Sequence, residues 1–427
     1  MEMYIVLAVT IFMMVMFVWH KVPFGVTTMT CCVILMVTGC IDLNATFSGF
    51  GNKIVVLIAP MLALGNVLGK TSLVANLQDL MESMKGKHGT LLVLSIFLIA
   101  GIMAQLIPST AVLAIMVVFL STLGETGEIN SRRLMLPTLG ITSSCKFRFP
   151  IGLGATQFAV INAMYAGIIP DEKYALKMLD PFIFSIFPMV VLIIYCIFAW
   201  RLVPNKAGTL NKDAVKQKMQ KGIYTPGQEK LIYVVFAAVM LLMILNTWTG
   251  DIMYVAPAIG VLVLIYAGVL KVKDAVASMT VDMIWMIAGV LVVSDALGSS
   301  GASELIGNAF MGLIGENPSS IMVMFLFSAV TIIVTNFLSN SATQTVLVPI
   351  AASLALVGGW DPRGIVLIAG IANMFDIALP SGSGEAAVAY GASGYNPAEV
   401  LPFSIPYIII AIVTCTISAQ MLFPLYG

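Results

Sequence analysis

Two segments about 230 residues apart carry charges and helix-breaking residues inside otherwise apolar stretches of the chain. Residues 146–157 read KFRFPIGLGATQ, and residues 376–387 read DIALPSGSGEAA. Neither segment is expected to stay helical, because proline lacks a backbone donor and the glycines and serines favour open backbone. At membrane depth, irregular backbone is tolerated only where it is buried in protein or lines a cavity. Two such breaks in corresponding positions indicate the binding site of a transporter.

The composition predicts a multi-pass membrane protein. Of the 427 residues, 59% are hydrophobic and 10% are charged, and a water-soluble domain could not bury that much apolar surface. Residues 4–19 lack a basic start and lead directly into a second apolar stretch, so we interpret them as a membrane helix and not as a signal peptide. We expect a location in the cell (inner) membrane, with the lipid bilayer as a partner and no nucleic acid.

The sequence contains no motif of an enzyme. Its six cysteines lie in apolar runs without metal-ligand spacing. It has no phosphate-binding loop, no metalloprotease motif and no pair of catalytic side chains on adjacent predicted helices. We therefore expect no enzymatic activity.

Apolar windows long enough to cross a membrane recur in the same order in both halves of the chain, at an offset of about 229 residues. Those of the first half lie near 4–19, 22–40, 50–69, 90–120, 133–169 and 181–203, and those of the second near 231–248, 251–270, 279–297, 318–357, 363–393 and 400–426. The sequence ALGNVLGKTS at 63–72 also corresponds to VVSDALGSSG at 292–301. We predict two repeats, residues 1–203 and 231–427, joined by a basic cytoplasmic linker at residues 204–230.

One window in each half is interrupted by polar residues. QLIPST at 105–110 lies within residues 90–120, and NFLSNSAT at 336–343 lies within residues 318–357. The second window is too long for one crossing and too short for two crossings with a loop. We predict a re-entrant hairpin in each half, which enters and leaves on one side of the membrane. The alternative is a kinked helix whose Ser and Thr side chains bond its own carbonyl groups.

Re-entrant hairpins leave each half with about five crossings, an odd number, so the second half must be inverted relative to the first. The predicted fold is an all-α polytopic membrane protein with two inverted repeats. Each repeat has about five transmembrane helices plus one re-entrant hairpin, with unwound helices at the midplane. Positive charge supports one orientation, with the linker, Arg132, Arg133 and Lys271 inside and with Asp171 and Glu172 outside.

The hairpin tips place helix N-termini near the membrane midplane. The first N–H groups of a helix lack intrahelical partners and carry the positive end of the helix dipole, so they favour an anion. Hydroxyl and amide side chains at the tips add donors: Ser109, Thr110, Ser339, Asn340, Ser341 and Thr343. The oxygens of the same side chains can also coordinate a small cation.

Several motifs resemble those of the divalent anion/sodium symporter family, which includes dicarboxylate, citrate and sulfate carriers. Residues 339–343 (SNSAT), followed by Pro349, resemble its Ser-Asn-Thr hairpin signature. Residues 150–152 (PIG) and 379–384 (LPSGSG) resemble its two unwound loops, and GFGN at 49–52 with GKT at 69–71 resembles its first-half entry. The resemblance implies inverted repeats, an elevator-type movement, a homodimer and a small organic anion held between the hairpin tips.

The hairpin donors and the resemblance together define the predicted substrate-binding residues, which are Ser109, Thr110, Gly152, Ser339, Asn340, Ser341, Thr343, Pro380, Ser381, Gly382 and Ser383. A sodium ion at Ser339, Asn340 and Gly382 is the one cofactor that the resemblance suggests. The first hairpin departs from the family pattern, because it reads PSTAV at 108–112 and lacks the asparagine that would supply a sodium ligand.

The first loop also carries two cations, Lys146 and Arg148, where sodium-coupled relatives are mostly neutral. A cation at the centre of a membrane helix costs roughly 2.5–3.5 kcal/mol on insertion scales, so it requires a partner or a role. Three interpretations remain open. The pair is a fixed cation in the role of a sodium ion, or it contacts substrate carboxylates, or it forms a structural ion pair with Asp376 or Glu385.

The predicted function is secondary active transport of small organic anions, di- or tricarboxylates, by alternating access of the elevator type. Sodium-coupled symport and sodium-independent exchange both fit the sequence. Because intramembrane carboxylates such as Asp376 and Glu385 can carry protons, a cation/proton antiporter of related architecture is the alternative.

Overall fold

The computed structural model of the chain describes residues 1–19, 21–72, 76, 89–121, 129–150, 153–206, 208, 210–211, 223–244, 251–315 and 318–426. All regular structure within these residues is helical. The helices of the first half are α1 (Glu2–Trp19), α2 (Phe24–Val37), α3 (Leu43–Ser48), α4 (Lys53–Gly69), α5 (Thr90–Leu106), α6 (Ser109–Leu120), α7 (Ser131–Cys145), α8 (Leu153–Ala166) and α9 (Asp180–Ala199).

The second half contains a similar succession of helices. They are α10 (Pro226–Ile244), α11 (Ile252–Tyr266), α12 (Val272–Met279), α13 (Asp282–Ser299), α14 (Ala302–Ile314), α15 (Ser320–Phe337), α16 (Asn340–Gly358), α17 (Arg363–Ile371), α18 (Gly384–Ser393) and α19 (Pro397–Leu422). Residues 207, 209 and 212–222 of the predicted linker lie outside the described residues, and its last part is helical because α10 begins at Pro226.

Six helices within the described residues are long and apolar enough to cross a membrane: Asp180–Leu202, Pro226–Met243, Asp282–Ser299, Ser320–Phe337, Asn340–Gly358 and Pro397–Leu422. The bent pair Leu43–Gly51 and Val55–Gly69 provides a seventh candidate. Large apolar side chains cover the outer faces of the bundle, as in α9, where Phe198 is 76% exposed. Because so much apolar surface faces outward, the chain is a polytopic membrane protein, as its composition predicted.

Each predicted hairpin window contains two helices that are separated by a short extended break and pack against each other. Pro108 precedes α6 with φ −54° and ψ 136°, and its missing N–H prevents continuation of α5. Ser339 precedes α16, and its hydroxyl accepts a hydrogen bond from Ala342 N at 3.2 Å. Proline thus ends one helix and a serine cap starts the other, as the polar interruptions suggested.

Two further breaks separate α7 from α8 and α17 from α18. After α7 the chain turns at Lys146 (φ −55°, ψ 133°), and Phe147 adopts φ +57°. That left-handed conformation is rare for a side chain other than glycine and costs about 1–3 kcal/mol. In the second half, the 3-10 turn Ala372–Met374 leads into irregular backbone, and Ser383 caps α18 by accepting from Ala386 N at 3.2 Å.

The breaks are shorter than the sequence segments that predicted them. Helix α8 begins at Leu153 and α18 begins at Gly384, so Thr156, Gln157 and Glu385 are helical. Alanines and apolar residues follow each Gly/Pro/Ser-rich stretch and favour helix once the break has been completed. The side chains that follow each break therefore project from rigid helix.

Helices α7 and α17 lie in the centre of the bundle, and every residue of α17 after Arg363 is buried. Helix α7 packs against α5 and α6, and α17 packs against α15 and α16. The helices that follow the two breaks contact the other half of the chain. Helix α8 packs against α16 in the second half, and α18 packs against α6 in the first half. Each break is therefore held between helices of the two predicted hairpin windows, one in each half of the chain.

Gly154, near the start of α8, lies where a side chain has no room, since a Cβ there would be 1.9 Å from Phe149 O. We expect Gly154→Ala to displace the first break and to destabilise the protein by at least about 2 kcal/mol. Gly312→Ala in α14 is the matched control. Nothing lies within 4 Å of its Cβ, and alanine favours helix by about 1 kcal/mol. Thermal unfolding in detergent compares the variants, and equal melting temperatures would contradict the close approach.

Candidate functional site

Lys146 is buried among three oxygen-bearing side chains. Its Nζ donates a hydrogen bond to Asp376 Oδ1 at 3.1 Å and forms a second ion pair with Glu385. The amide oxygen of Asn340, when turned toward Lys146, accepts from Nζ at 3.0 Å. Lys146 is 1% exposed and Asp376 is fully buried. In such a setting each charge is tolerated only because its partners compensate for the loss of water.

Asn340 connects this ion cluster to the tip of the second hairpin. In the same amide orientation its Nδ2 donates to Asn373 O and to Thr335 Oγ1, both at 2.9 Å. Asn373 Nδ2 in turn donates to Asn340 O at 3.1 Å. The start of α16 is therefore fixed both to the 3-10 turn that precedes the second break and, through Lys146, to the first break.

Arg148 binds backbone carbonyl groups at the ends of two helices. Its Nε donates to Ser144 O at 3.0 Å, Nη2 to Ser143 O at 3.2 Å and Nη1 to Ile371 O at 3.3 Å. The guanidinium group also lies 4.8 Å from the ring centre of Phe375. The last carbonyls of a helix lack intrahelical partners and carry the negative end of the dipole. Arg148 thus caps α7 and α17 at once.

A cavity of about 80 Å³ lies beside the start of α16, between α8, α13 and α16. Its described lining consists of Phe147, Thr156, Gln157, Val160, Met164, Met283, Met286, Ser341, Gln344 and Thr345. None of these side chains carries a formal charge. The cavity combines hydroxyl and amide groups near the starts of two helices with flexible methionine walls, which suits a small polar molecule.

The predicted substrate-binding residues of the second hairpin have different surroundings. Ser341 lines the cavity. Ser339 caps α16, and Asn340 contacts the ion cluster. Thr343 is fully buried, and its hydroxyl has no partner among the described residues. The structure thus brings one of these four side chains to the cavity.

The remaining predicted residues lie in α6 and in the second break, except Gly152, which is outside the described residues. Ser109 and Thr110 begin α6, and a Cβ on Gly384 would lie 2.9 Å from Thr110 Cγ2. Ser381 Oγ donates to Asn336 O at 3.2 Å. The second break also contains Pro380, Gly382 and Ser383.

The sequence interpretation missed Gln344 and Thr345 on α16, and it gave no role to Thr156 and Gln157 on α8. Helical spacing would have identified the first two, because residues three and four positions after Ser341 share its face of the helix. Thr156 and Gln157 were assigned to an unwound loop, and their common direction follows only from α8 starting at Leu153.

A family model described as citrate transporter matches residues 14–370. The chain belongs to the citrate transporter family. The predicted resemblance to dicarboxylate, citrate and sulfate carriers is confirmed at the level of the family. As a member of a transporter family with apolar spanning helices, the chain is not an enzyme and is a multi-pass inner-membrane protein.

Relatives of this citrate transporter family member are named transporters. An uncharacterized transporter of Synechocystis is 26% identical over 151 residues, which are 35% of this chain and 24% of that protein. An uncharacterized transporter of Haemophilus influenzae is 27% identical over 33% of this chain and 30% of the relative. These alignments span about a quarter to a third of the relatives' length.

A longer alignment links the chain to the sodium-dependent dicarboxylate transporter SdcS of Staphylococcus saprophyticus, at 19% identity over 90% of this chain and 79% of that protein. Among solved structures, the YdaH transporter of Alcanivorax borkumensis, described as having an unusual topology, matches with a TM-score of 0.62. The match covers 97% of this chain and 100% of the other at 13% identity, so it establishes a shared fold.

Removing the cation from the buried cluster should strongly destabilise the protein. Lys146→Met leaves Asp376 and Glu385 without a counter-charge, which we expect to cost about 3–5 kcal/mol. Lys206→Met is the control, because its pair with Glu399 has side chains 40% and 35% exposed, where water and salt screen the attraction. The apparent melting temperature in detergent measures both. A Lys146→Met variant as stable as the control would refute the cluster.

Proposed function

We propose that the chain is a secondary active transporter of small organic anions, di- or tricarboxylates, that works by alternating access. The observation that carries the proposal is the cavity beside the start of α16. Ser341 and Gln344 lie in its wall, and none of its described lining residues is acidic. A helix start with neutral donors favours an anion. The nearby carboxylates, Asp376 and Glu385, share the ammonium group of Lys146, and the buried guanidinium group of Arg148 balances the second negative charge.

The same proposal includes two inverted repeats with re-entrant hairpins. Corresponding helices of the two halves begin at a nearly constant offset. Helix α13 begins at Asp282, 229 residues after α4 begins at Lys53, and the second hairpin begins at Ser320, 230 residues after the first begins at Thr90. The proposal is also supported by the exchange of contacts, in which α8 packs on the second hairpin and α18 on the first. In this arrangement the cavity lies near the midplane, where substrate sites of inverted-repeat carriers occur.

The proposed movement is of the elevator type. The hairpins and the broken helices shift together past α4 and α13, against which α8 packs. Helix α13 approaches the end of α8 closely, since a Cβ on Gly298 would lie 2.2 Å from Gly167 O. Small residues at a helix contact allow such close approach. A homodimer, which the family resemblance implies, would hold the stationary helices.

We further propose that Lys146 takes the role of a coupling sodium ion. Its ammonium group lies among oxygens of Asp376, Glu385 and Asn340, which come from the second break, α18 and the hairpin tip. Such a set of oxygens would otherwise suit a small cation. A permanent cation there makes transport sodium-independent, in contrast to the relatives that are named sodium-dependent.

A cation/proton antiporter is the second candidate. The observation that favours it is the burial of Asp376 and Glu385 side by side on one ammonium group. Intramembrane carboxylates of this kind serve as ion or proton carriers in other transporters. In that case the protein would exchange cations for protons across the membrane and would not transport an organic anion.

Purified protein in liposomes should accumulate or exchange labelled succinate, malate or citrate. We expect the same initial rate in sodium and in choline buffers, because Lys146 supplies the cation. Initial uptake rates in both buffers, with unlabelled substrate inside the liposomes, test whether transport requires sodium. Strict sodium dependence would rule out the fixed-cation role, and sodium or proton flux without anion uptake would favour the antiporter.

Replacing the fixed cation should create a cation requirement. Lys146→Ala leaves the oxygens of Asp376, Glu385 and Asn340 around an empty space, and we expect it to abolish uptake in choline buffer. Sodium or ethylammonium should restore part of the rate, because a free cation can then occupy the space. Lys206→Ala should behave like the wild type. Full uptake by Lys146→Ala in choline buffer would contradict the assigned role.

A further inference from the structure

Gln344 lines the cavity, and its side chain carries a buried donor without an acceptor. The residue is 4% exposed and lines the cavity, and its Nε2 has no hydrogen-bond partner among the described residues. Nearly all buried polar groups in proteins are paired, and an unpaired one lowers stability. An unpaired amide in the wall of a cavity therefore indicates a ligand that supplies the missing acceptor.

The position of Gln344 on α16 defines a second contact point. Ser341 lies in the first turn, where backbone N–H groups have no intrahelical partner, and Gln344 lies three residues later on the same face. Three residues of helix rise by about 4.5 Å. That spacing is comparable to the separation of the two carboxylates of a four-carbon dicarboxylate.

Two other polar side chains on these helices already donate to backbone groups, which favours Gln344 as the donor for this second point. Thr345 Oγ1 donates to Ser341 O at 2.8 Å. Across the cavity, Gln157 Nε2 donates to Gly370 O at 2.7 Å, so that its amide group ties α8 to the end of α17. Each of these two groups already donates to a backbone carbonyl, whereas Gln344 Nε2 donates to no described residue.

We propose that Gln344 is the residue that selects dicarboxylates. One carboxylate lies at the start of α16 beside Ser341, and the other accepts a hydrogen bond from Gln344 Nε2. The inference rests on the proposed function and adds the substrate's second anchoring point. A buried donor built for an oxygen rejects an analogue without it, because the donor then remains unpaired. The site should therefore prefer succinate to butyrate, which has the same carbon chain and only one carboxylate.

The test measures succinate uptake into liposomes and its inhibition by butyrate. Gln344→Met keeps the size of the side chain and removes the donor. We expect it to raise the KM for succinate about ten- to hundredfold, with kcat nearly unchanged and with the inhibition constant of butyrate within about threefold of wild type. Gln344→Glu places a carboxylate next to that of the substrate, so we expect a larger increase in the KM for succinate.

Ser353→Ala is the matched control. Ser353 lies on the same helix, is fully buried and also has an unpartnered hydroxyl among the described residues, but it does not line the cavity. Its KM for succinate should equal that of the wild type. Melting temperatures verify that each variant is folded, and Gln344→Asn, which keeps a shortened amide, provides a second folded comparison.

Two outcomes overturn the inference while leaving organic anion transport intact. The first is an unchanged succinate KM in both folded variants, Gln344→Met and Gln344→Glu. The second is an equal loss for succinate and butyrate, which would assign Gln344 a purely structural role. A wild-type protein that moves no organic anion would instead overturn the proposed function itself, and this inference with it.

Discussion

The buried ion cluster of Lys146, Asp376 and Glu385 determines the arrangement of the centre of the protein. Its members come from the end of α7, from the second break and from α18. A buried charge without its partners costs several kcal/mol, so the cluster is tolerated only when all three segments meet. Through Asn340 the second hairpin joins the same network. The breaks in the two halves of the chain are therefore positioned together.

Arg148, two residues after Lys146, satisfies the carbonyl groups at two helix ends. The ends of α7 and α17 present unpaired carbonyls inside the bundle, and the guanidinium group donates to both. With the negative helix ends capped and the carboxylates paired, the adjoining cavity contains only neutral side chains among its described lining. The charges thus stabilise the broken backbone, and neutral donors with helix starts remain for a ligand.

The positions of the breaks could be predicted because their causes are local. Pro108 lacks an N–H, Ser339 and Ser383 cap the following helices, and polar residues interrupt two apolar windows. The length of the breaks was overestimated, since α8 resumes before Thr156. A glycine-rich stretch permits irregular backbone without specifying where it ends, and packing of α8 against α16 and α13 determines that point.

By itself the sequence determined that this is a polytopic helical membrane protein with two broken segments, and it identified the four buried charged residues near them. Only the tertiary structure decided how two of those residues are used, since Lys146 pairs with two acids and Arg148 binds backbone carbonyls. It also placed Gln344 in the wall of the cavity. Hydropathy and helix-breaking chemistry act over a few residues. The pairing of charges 230 positions apart depends on how whole helices pack.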